Sequence, residues 1–197
     1  MKELISRLIK NKRVAILGFG REGRSTYRYL RSSFPGKMIN IIDDNSAILD
    51  DPEISGDPDV HLHLGNGSIK EVINYDIVFK APGVPSHVFP ANFDTSGITS
   101  QTSLFLEKFS PQVIGVTGTK GKSTTASLIH HIFSQSGFHS MLLGNIGLPP
   151  FEGIPDIRPE TKIVMELSSH QLQYIRRSPH IAILLNIFQE HLDHYSS

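Results

Sequence analysis

Cysteine is absent from the 197 residues. That excludes disulfides, thiolate metal centres and a cysteine nucleophile. Neither sign of charge is in excess, because 19 Lys and Arg balance 19 Asp and Glu. The basic surplus of a nucleic-acid binder is therefore missing; small anions remain possible ligands, since they need only a local cluster of donors. Long apolar runs are missing too. The most apolar late stretch, residues 181–188, is interrupted by Asn186 and is far too short to span a bilayer. Residues 1–12 are charged and amphipathic, without the long apolar core of a signal peptide. The expectation is a cytoplasmic protein with no nucleic-acid and no membrane partner. What is present is ordinary for a globular chain, with 39% hydrophobic and 19% charged residues. The length suffices for one large domain or two small ones.

The front half reads as strand, helix, strand. Residues 13–17 form a short apolar run, followed by Gly18, Gly20 and Gly23 in G-x-G-x-x-G spacing. Tyr27, Leu30 and Phe34 then recur at helical intervals until Pro35 and Gly36 stop the pattern. Residues 38–42 predict a second strand ending at Asp43 and Asp44, an order that favours parallel pairing. Residues 50–59, rich in acids, proline and glycine, read as a loop. Residues 76–79 read as a strand followed by a sharp turn at Lys80-Ala81-Pro82-Gly83. A domain boundary is expected near Ile98, giving domains 1–98 and 99–197.

In the second half, residues 104–109 look helical and residues 113–116 look like a strand. A glycine-rich loop, residues 118–122, then leads into a helix from Ser123, with Leu128, Ile129, Ile132 and Phe133 as its apolar face. Residues 140–143, 163–167 and 181–185 predict further strands. The fold class expected is α/β, a Rossmann-like N-terminal domain followed by a P-loop-type α/β ATPase domain, the latter truncated according to the resemblance given below.

The strongest motif is Gly115-Val116-Thr117-Gly118-Thr119-Lys120-Gly121-Lys122-Ser123-Thr124. Glycines let backbone N–H groups point into one concavity that holds phosphate oxygens. The following helix adds the positive end of its dipole. Lys122 supplies a full charge to the outer phosphates, and the Ser123 hydroxyl can ligate Mg²⁺. The general pattern G-x-x-x-x-G-K-[ST] needs glycine at position 116, where Val116 stands, so a generic P-loop GTPase or ATPase fits less well.

This run resembles the ATP loop of the Mur ligases and their folylpolyglutamate synthase relatives. Gly144-Asn145-Ile146-Gly147, residues 166–172 (Glu-Leu-Ser-Ser-His-Gln-Leu) and residues 186–195, which end in His191, Leu192, Asp193, His194 and Tyr195, resemble further stretches of that family in order and spacing. The second of these, with Ser123, resembles the D-glutamate-adding type, with His170 in place of the usual phenylalanine.

The resemblance implies a peptidoglycan-precursor ligase using ATP and Mg²⁺. The carboxylate of UDP-MurNAc-L-alanine would take the γ-phosphoryl group, and D-glutamate would then displace phosphate. Such a reaction needs cations and oriented N–H groups more than covalent chemistry. It implies catalytic roles for Lys122, Glu166 and His191. ATP contacts would come from Gly118, Thr119, Lys120, Gly121, Lys122, Ser123, Thr124, Asn145 and Asn186, and metal ligands from Ser123, Glu166 and His191. His194 is expected to be structural, and His61, His63, His130 and His131 receive no role.

Taken alone, Gly18-Phe19-Gly20-Arg21-Glu22-Gly23 with Asp43 is the fingerprint of a dinucleotide site, and an NAD-binding Rossmann protein is the reading it invites. The resemblance instead implies a site for the UDP end of the substrate. Gly18, Phe19, Gly20, Arg21, Glu22 and Gly23 would lie at the diphosphate, Asp43 and Asp44 near the uracil, and Pro82 and Gly83 in a turn beside the substrate. The residues are also compatible with a non-catalytic nucleotide or UDP-sugar-binding module, and with a sister Mur ligase for another amino acid. The resemblance further implies that the family's bridging lysine and its C-terminal domain lie beyond Ser197, so that a monomer of these residues alone is expected to lack ligase activity.

Overall fold

The computed structural model describes residues 1–188, and the chain divides into two compact units that part after Ser100. His191 and His194, assigned above as a metal ligand and a structural residue, fall outside the described residues.

The first unit opens with helix α1 (Lys2–Ile9), which buries Ile5 and Ile9. Its sheet consists of β1 (Val14–Leu17), β2 (Ile39–Asp43), β3 (Val60–Leu64), β4 (Ile77–Lys80) and the two-residue β5 (Ile98–Thr99). The order is β3-β2-β1-β4-β5 and every pairing is parallel. Parallel strands covered on both faces read as unbroken apolar runs, and both β1 and β4 are buried at all four positions. The chain leaves β1 toward one side of the sheet and later returns on the other. The direction of winding therefore reverses between β1 and β4, the place where open α/β sheets form a crevice at their carboxyl ends.

Helix α2 (Arg21–Ser33) crosses between β1 and β2. It buries Tyr27 and Leu30 and turns its arginines outward onto the connection that follows β2. Arg24 pairs with Asp51 and Glu53, Arg28 with Glu53, and Arg31 with Asp57 at 2.6 Å. Residues 24, 28 and 31 share one helix face. The acidic stretch at 50–59 is thus an irregular segment, as its composition predicts, but one held along its length by a ladder of arginines.

The second unit begins with α3 (Gln101–Phe109), three residues earlier than the sequence pattern places it. Its sheet combines β6 (Val113–Thr117), β7 (Ser140–Gly144), β8 (Lys162–Glu166) and β9 (Ile181–Leu184) in the parallel order β7-β8-β6-β9. Between these strands lie α4 (Lys122–Gln135), the short α5 (Pro150–Gly153) and the short α6 (Ser169–Leu172).

The structure corrects one expectation. The apolar residues of α4 do not form a single inward face. Ile129 and Phe133 pack on the core of Val116, Ala126 and Val164. Leu128 and Ile132 are 55% and 53% exposed. At 100° per residue, positions 126, 129 and 133 make one stripe and 128 and 132 fall on its flank. The strands predicted at 140–143, 163–167 and 181–185 appear within a residue of their expected ends.

Candidate functional site

The loop after β6 is shaped by two glycines in the left-handed region, Gly118 at φ +135° and Gly121 at φ +85°. Gly121 is the N-cap of α4 and supplies no side-chain cap, so the first turn of that helix keeps its N–H groups for another acceptor. Lys122 opens the helix and folds back over the loop, donating to the carbonyls of Gly118 at 2.8 Å and Thr119 at 2.9 Å. An anion entering the loop would draw the ammonium off these neutral acceptors, because a charge-assisted bond is the stronger partner.

The loop is held from the neighbouring edge strand. Asn186 lies just after β9 and uses its whole side-chain amide on the Lys120 peptide. Its Oδ1 accepts from the Lys120 N–H at 2.9 Å, and its Nδ2 donates to the Lys120 carbonyl at 3.0 Å. Its own carbonyl accepts from the Thr119 N–H at 3.0 Å, and Thr119 Oγ1 accepts from the Phe188 N–H at 2.8 Å. The N–H groups of Thr119 and Lys120 are therefore engaged with Asn186. The asparagine amide thus braces the loop.

Beside the loop lies a cavity of about 290 Å³. Thr117, Gly118 and Lys122 line one part, and Ser168, Ser169 and His170 line another. Ser168 caps α6 through a reciprocal pair with Gln171. That box fixes where the first turn of α6 stands after β8, and it explains the Ser-Ser-x-Gln spacing in local terms.

Glu166 ends β8 opposite Val116, immediately before the loop. It is 1% exposed. Its Oε1 accepts from Asn145 Nδ2 at 2.7 Å, while the buried Oε2 has no hydrogen-bond partner. Asn145 is presented by a turn in which Gly144 and Gly147 both have positive φ. A Cβ on Gly144 would meet the Glu166 backbone, so that glycine is demanded by the close approach of the two strand ends. A buried carboxylate oxygen without a donor costs free energy unless a cation completes it. Glu166 and the exposed hydroxyl of Ser123 are oxygen donors of the kind a hard divalent cation takes. Among the described residues no group of three or more His, Asp or Glu forms a complete metal site, so such a cation would depend on ligand oxygens for much of its coordination.

In the first unit Gly18 has φ +85°, and a Cβ there would lie 2.9 Å from Val84 and 3.0 Å from Ala81. A Cβ on Gly23 would run into the Gly18 carbonyl oxygen. Packing explains both glycines. Gly20 differs, because nothing lies within 4 Å of the place its Cβ would take and its φ is ordinary. Phe19 is 1% exposed, stacked under Arg24, and its N–H donates to Asp43 at 2.6 Å. Asp43 also accepts from the Asn45 N–H at 2.8 Å. Phe19 thus anchors the loop in the core, and Asp43 ties the loop to the end of β2. Arg21 is exposed at the start of α2, Asp44 is exposed and accepts from Ser68 at 3.3 Å, and Pro82 and Gly83 turn the chain after β4.

The structure thus gathers residues 118–124 with Asn186, pairs Asn145 with Glu166 beside them, and collects residues 18–23 with Asp43 in the first unit. Sequence reasoning did not single out Thr117, Ser168, Ser169 and His170, which line the cavity beside the loop, although the Glu-Leu-Ser-Ser stretch drew attention to the segment of the last three.

Two parallel α/β units, the second bearing a glycine loop, a lysine and a buried acid at the carboxyl end of its sheet, define an α/β protein with a candidate anion site. Residues 116–197 match the Mur ligase middle domain. The chain is 33% identical to the UDP-N-acetylmuramoylalanine–D-glutamate ligase of Acetivibrio thermocellus, with 96% of this chain and 41% of that protein covered. It is 35% identical to the same-named protein of Ruminiclostridium cellulolyticum, again over 96% and 41%. It is also 34% identical to a UDP-N-acetylmuramoyl-L-alanine–L-glutamate ligase of Xanthomonas oryzae pv. oryzae, over 93% and 42%. The chain spans about two fifths of the length of these relatives.

Proposed function

We propose that residues 1–98 hold the UDP end of UDP-MurNAc-L-alanine and residues 99–197 bind ATP and Mg²⁺ in a ligase that adds D-glutamate through an acyl phosphate. The observation that carries this reading is the buried, unpartnered Oε2 of Glu166 beside the loop of Lys122. Lys122 and the N–H groups of the first turn of α4 would hold the phosphates. Ser123 and Glu166 would hold Mg²⁺, which supplies charge neutralisation on the transferring phosphoryl group. Asn145 orients Glu166, and Asn186 keeps the loop in shape. His191, assigned beside the metal by resemblance alone, stays part of this proposal.

The reading is tested by calorimetry with a non-hydrolysable ATP analogue, with and without Mg²⁺, on the chain and on Glu166→Gln. The substitution keeps an acceptor for Asn145 but removes the charge. Its affinity in Mg²⁺ should drop at least about tenfold, the scale of a lost charge-assisted contact, whereas affinity without metal should change little. Equal Mg²⁺ dependence in both proteins would remove Glu166 from the site. Titration with UDP-MurNAc-L-alanine and with NAD separates the ligase reading from a dehydrogenase.

A second reading has its own support. L-glutamate ligases match at 32–34% identity, within the 32–35% of the D-glutamate ligases. Phosphate release with D-glutamate against L-glutamate, measured on the protein that carries these residues, decides between them.

A further inference from the structure

Lys80 has no role in the site read from the sequence, and its setting is unusual. It is the last residue of β4, 4% exposed, in a strand buried at every position. Lysine is almost never buried to that degree without a task for its charge. Its register partner is Leu17, the last residue of β1. β1 and β4 are the two strands between which the winding of the sheet reverses, so Lys80 stands at the crevice where open α/β sheets bind ligands. Its Nζ lies 3.3 Å from the Ala81 carbonyl, and the charge of Glu22, in the first turn of α2, reaches it. Lys80 at the end of β4 and the glycine loop that follows β1 thus lie at the carboxyl ends of two adjacent strands, and the start of α2 at Gly20 has no side-chain cap.

We propose that Lys80 binds the diphosphate of a nucleoside-diphosphate ligand in this crevice, as the cation that faces the glycine loop from the β4 side. The inference rests on the reading that the first unit takes the UDP end of the substrate, and it names a residue on which that binding depends. Three features support it. Gly20 is the one glycine of residues 18–23 that neither its φ nor its neighbours require, whereas a phosphate approaching the backbone does require it. The start of α2 has no side-chain cap, Arg21 at that start is exposed, and Arg24 is paired with Asp51 and Glu53. Burial also holds the Lys80 ammonium down to about 8, against a smaller opposing effect of Glu22. A dianion would reverse that depression by favouring the charged form of the lysine. The other acid at the crevice, Asp43, is occupied by the Phe19 and Asn45 N–H groups.

The test is calorimetric binding of UDP to the chain and to Lys80→Met between pH 7 and 9.5. UDP carries the diphosphate without the sugar or its carboxylate. At pH 7 the substitution should weaken UDP binding about ten- to a hundredfold, the scale of a desolvated charge-assisted hydrogen bond. Affinity of the unsubstituted chain should fall as pH rises above about 8, because the proton the complex needs is no longer on the free lysine. Affinity of Lys80→Met should be flat across that range, which loss of a merely structural lysine would not produce. Equal UDP affinity in both proteins overturns the inference and leaves the site assignment standing. A chain that binds neither UDP nor UDP-MurNAc-L-alanine overturns both.

Discussion

Replacing Lys80 by methionine should make the ligand-free protein more stable. Methionine keeps the length of the side chain and fills the same space at the end of β4, but it carries no charge into a position that is 4% exposed. In the native chain burial lowers the lysine from 10.5 to about 8. At 1.36 kcal/mol per unit, that depression corresponds to a penalty of about 3 kcal/mol at pH 7, an upper bound because a variant site also relaxes. The pH dependence follows from proton counting. Below about 8 the lysine is protonated in both folded and unfolded chains and the full penalty is present. Between about 8 and 10.5 the unfolded chain keeps its proton and the folded chain releases it, so the native protein gains stability as pH rises. Thermal or urea unfolding of both proteins at pH 7, 8, 9 and 10 measures the difference directly, and tyrosines that titrate in the same range cancel in the comparison. The variant should lead by roughly 5 °C or more at pH 7, with the gap closing toward pH 10. A gap that does not change with pH, or a variant less stable at pH 7, would refute the account of Lys80 as a buried charge kept for a ligand.

Three other outcomes are expected. Asn186→Ala removes both side-chain bonds to Lys120; exchange of the Lys120 amide should quicken about tenfold, in line with about 1 kcal/mol of local stability, and binding of the ATP analogue should weaken. Unchanged exchange would show that the brace is absent in solution. Gly23→Ala drives a methyl group into the Gly18 carbonyl and should destabilise the first unit by about 3 kcal/mol or more, seen as a lost or lowered unfolding transition. Asp51 is held below its usual 3.8, first by the hydrogen bond from Arg24 and then by the Glu53 N–H. Its contribution is present above that value and disappears as pH falls through the lower folded one. Arg24→Ala should raise the pH at which Asp51 titrates, followed by carboxyl NMR.

Much of the fold was legible because its signals are local. Residues 13–17, 76–79 and 163–167 read as strands because parallel strands are apolar on both faces, and Pro35-Gly36 and Gly137 end helices by backbone geometry alone. The two-residue β5 was illegible, since Ile98 and Thr99 carry too short a pattern to register. Residues 101–103, Gln-Thr-Ser, did not look helical because their buried polar side chains lack the expected apolar period. On α4, composition showed four apolar residues but not which pair would meet the sheet.

The same division holds for function. The glycine-lysine-serine loop, the paired glycine motifs and the resemblance to the Mur ligases followed from residue order alone, because a loop suited to wrapping an anion needs glycine, lysine and serine at fixed short spacings. Three outcomes had to wait for the folded arrangement: Glu166 keeps a carboxylate oxygen without a partner, the Asn186 amide bonds the Lys120 peptide, and Lys80 is buried at the end of β4. They depend on groups tens of residues apart in the chain, such as Asn186 and Lys120, and burial and partnership arise only when the strands carrying them are laid side by side.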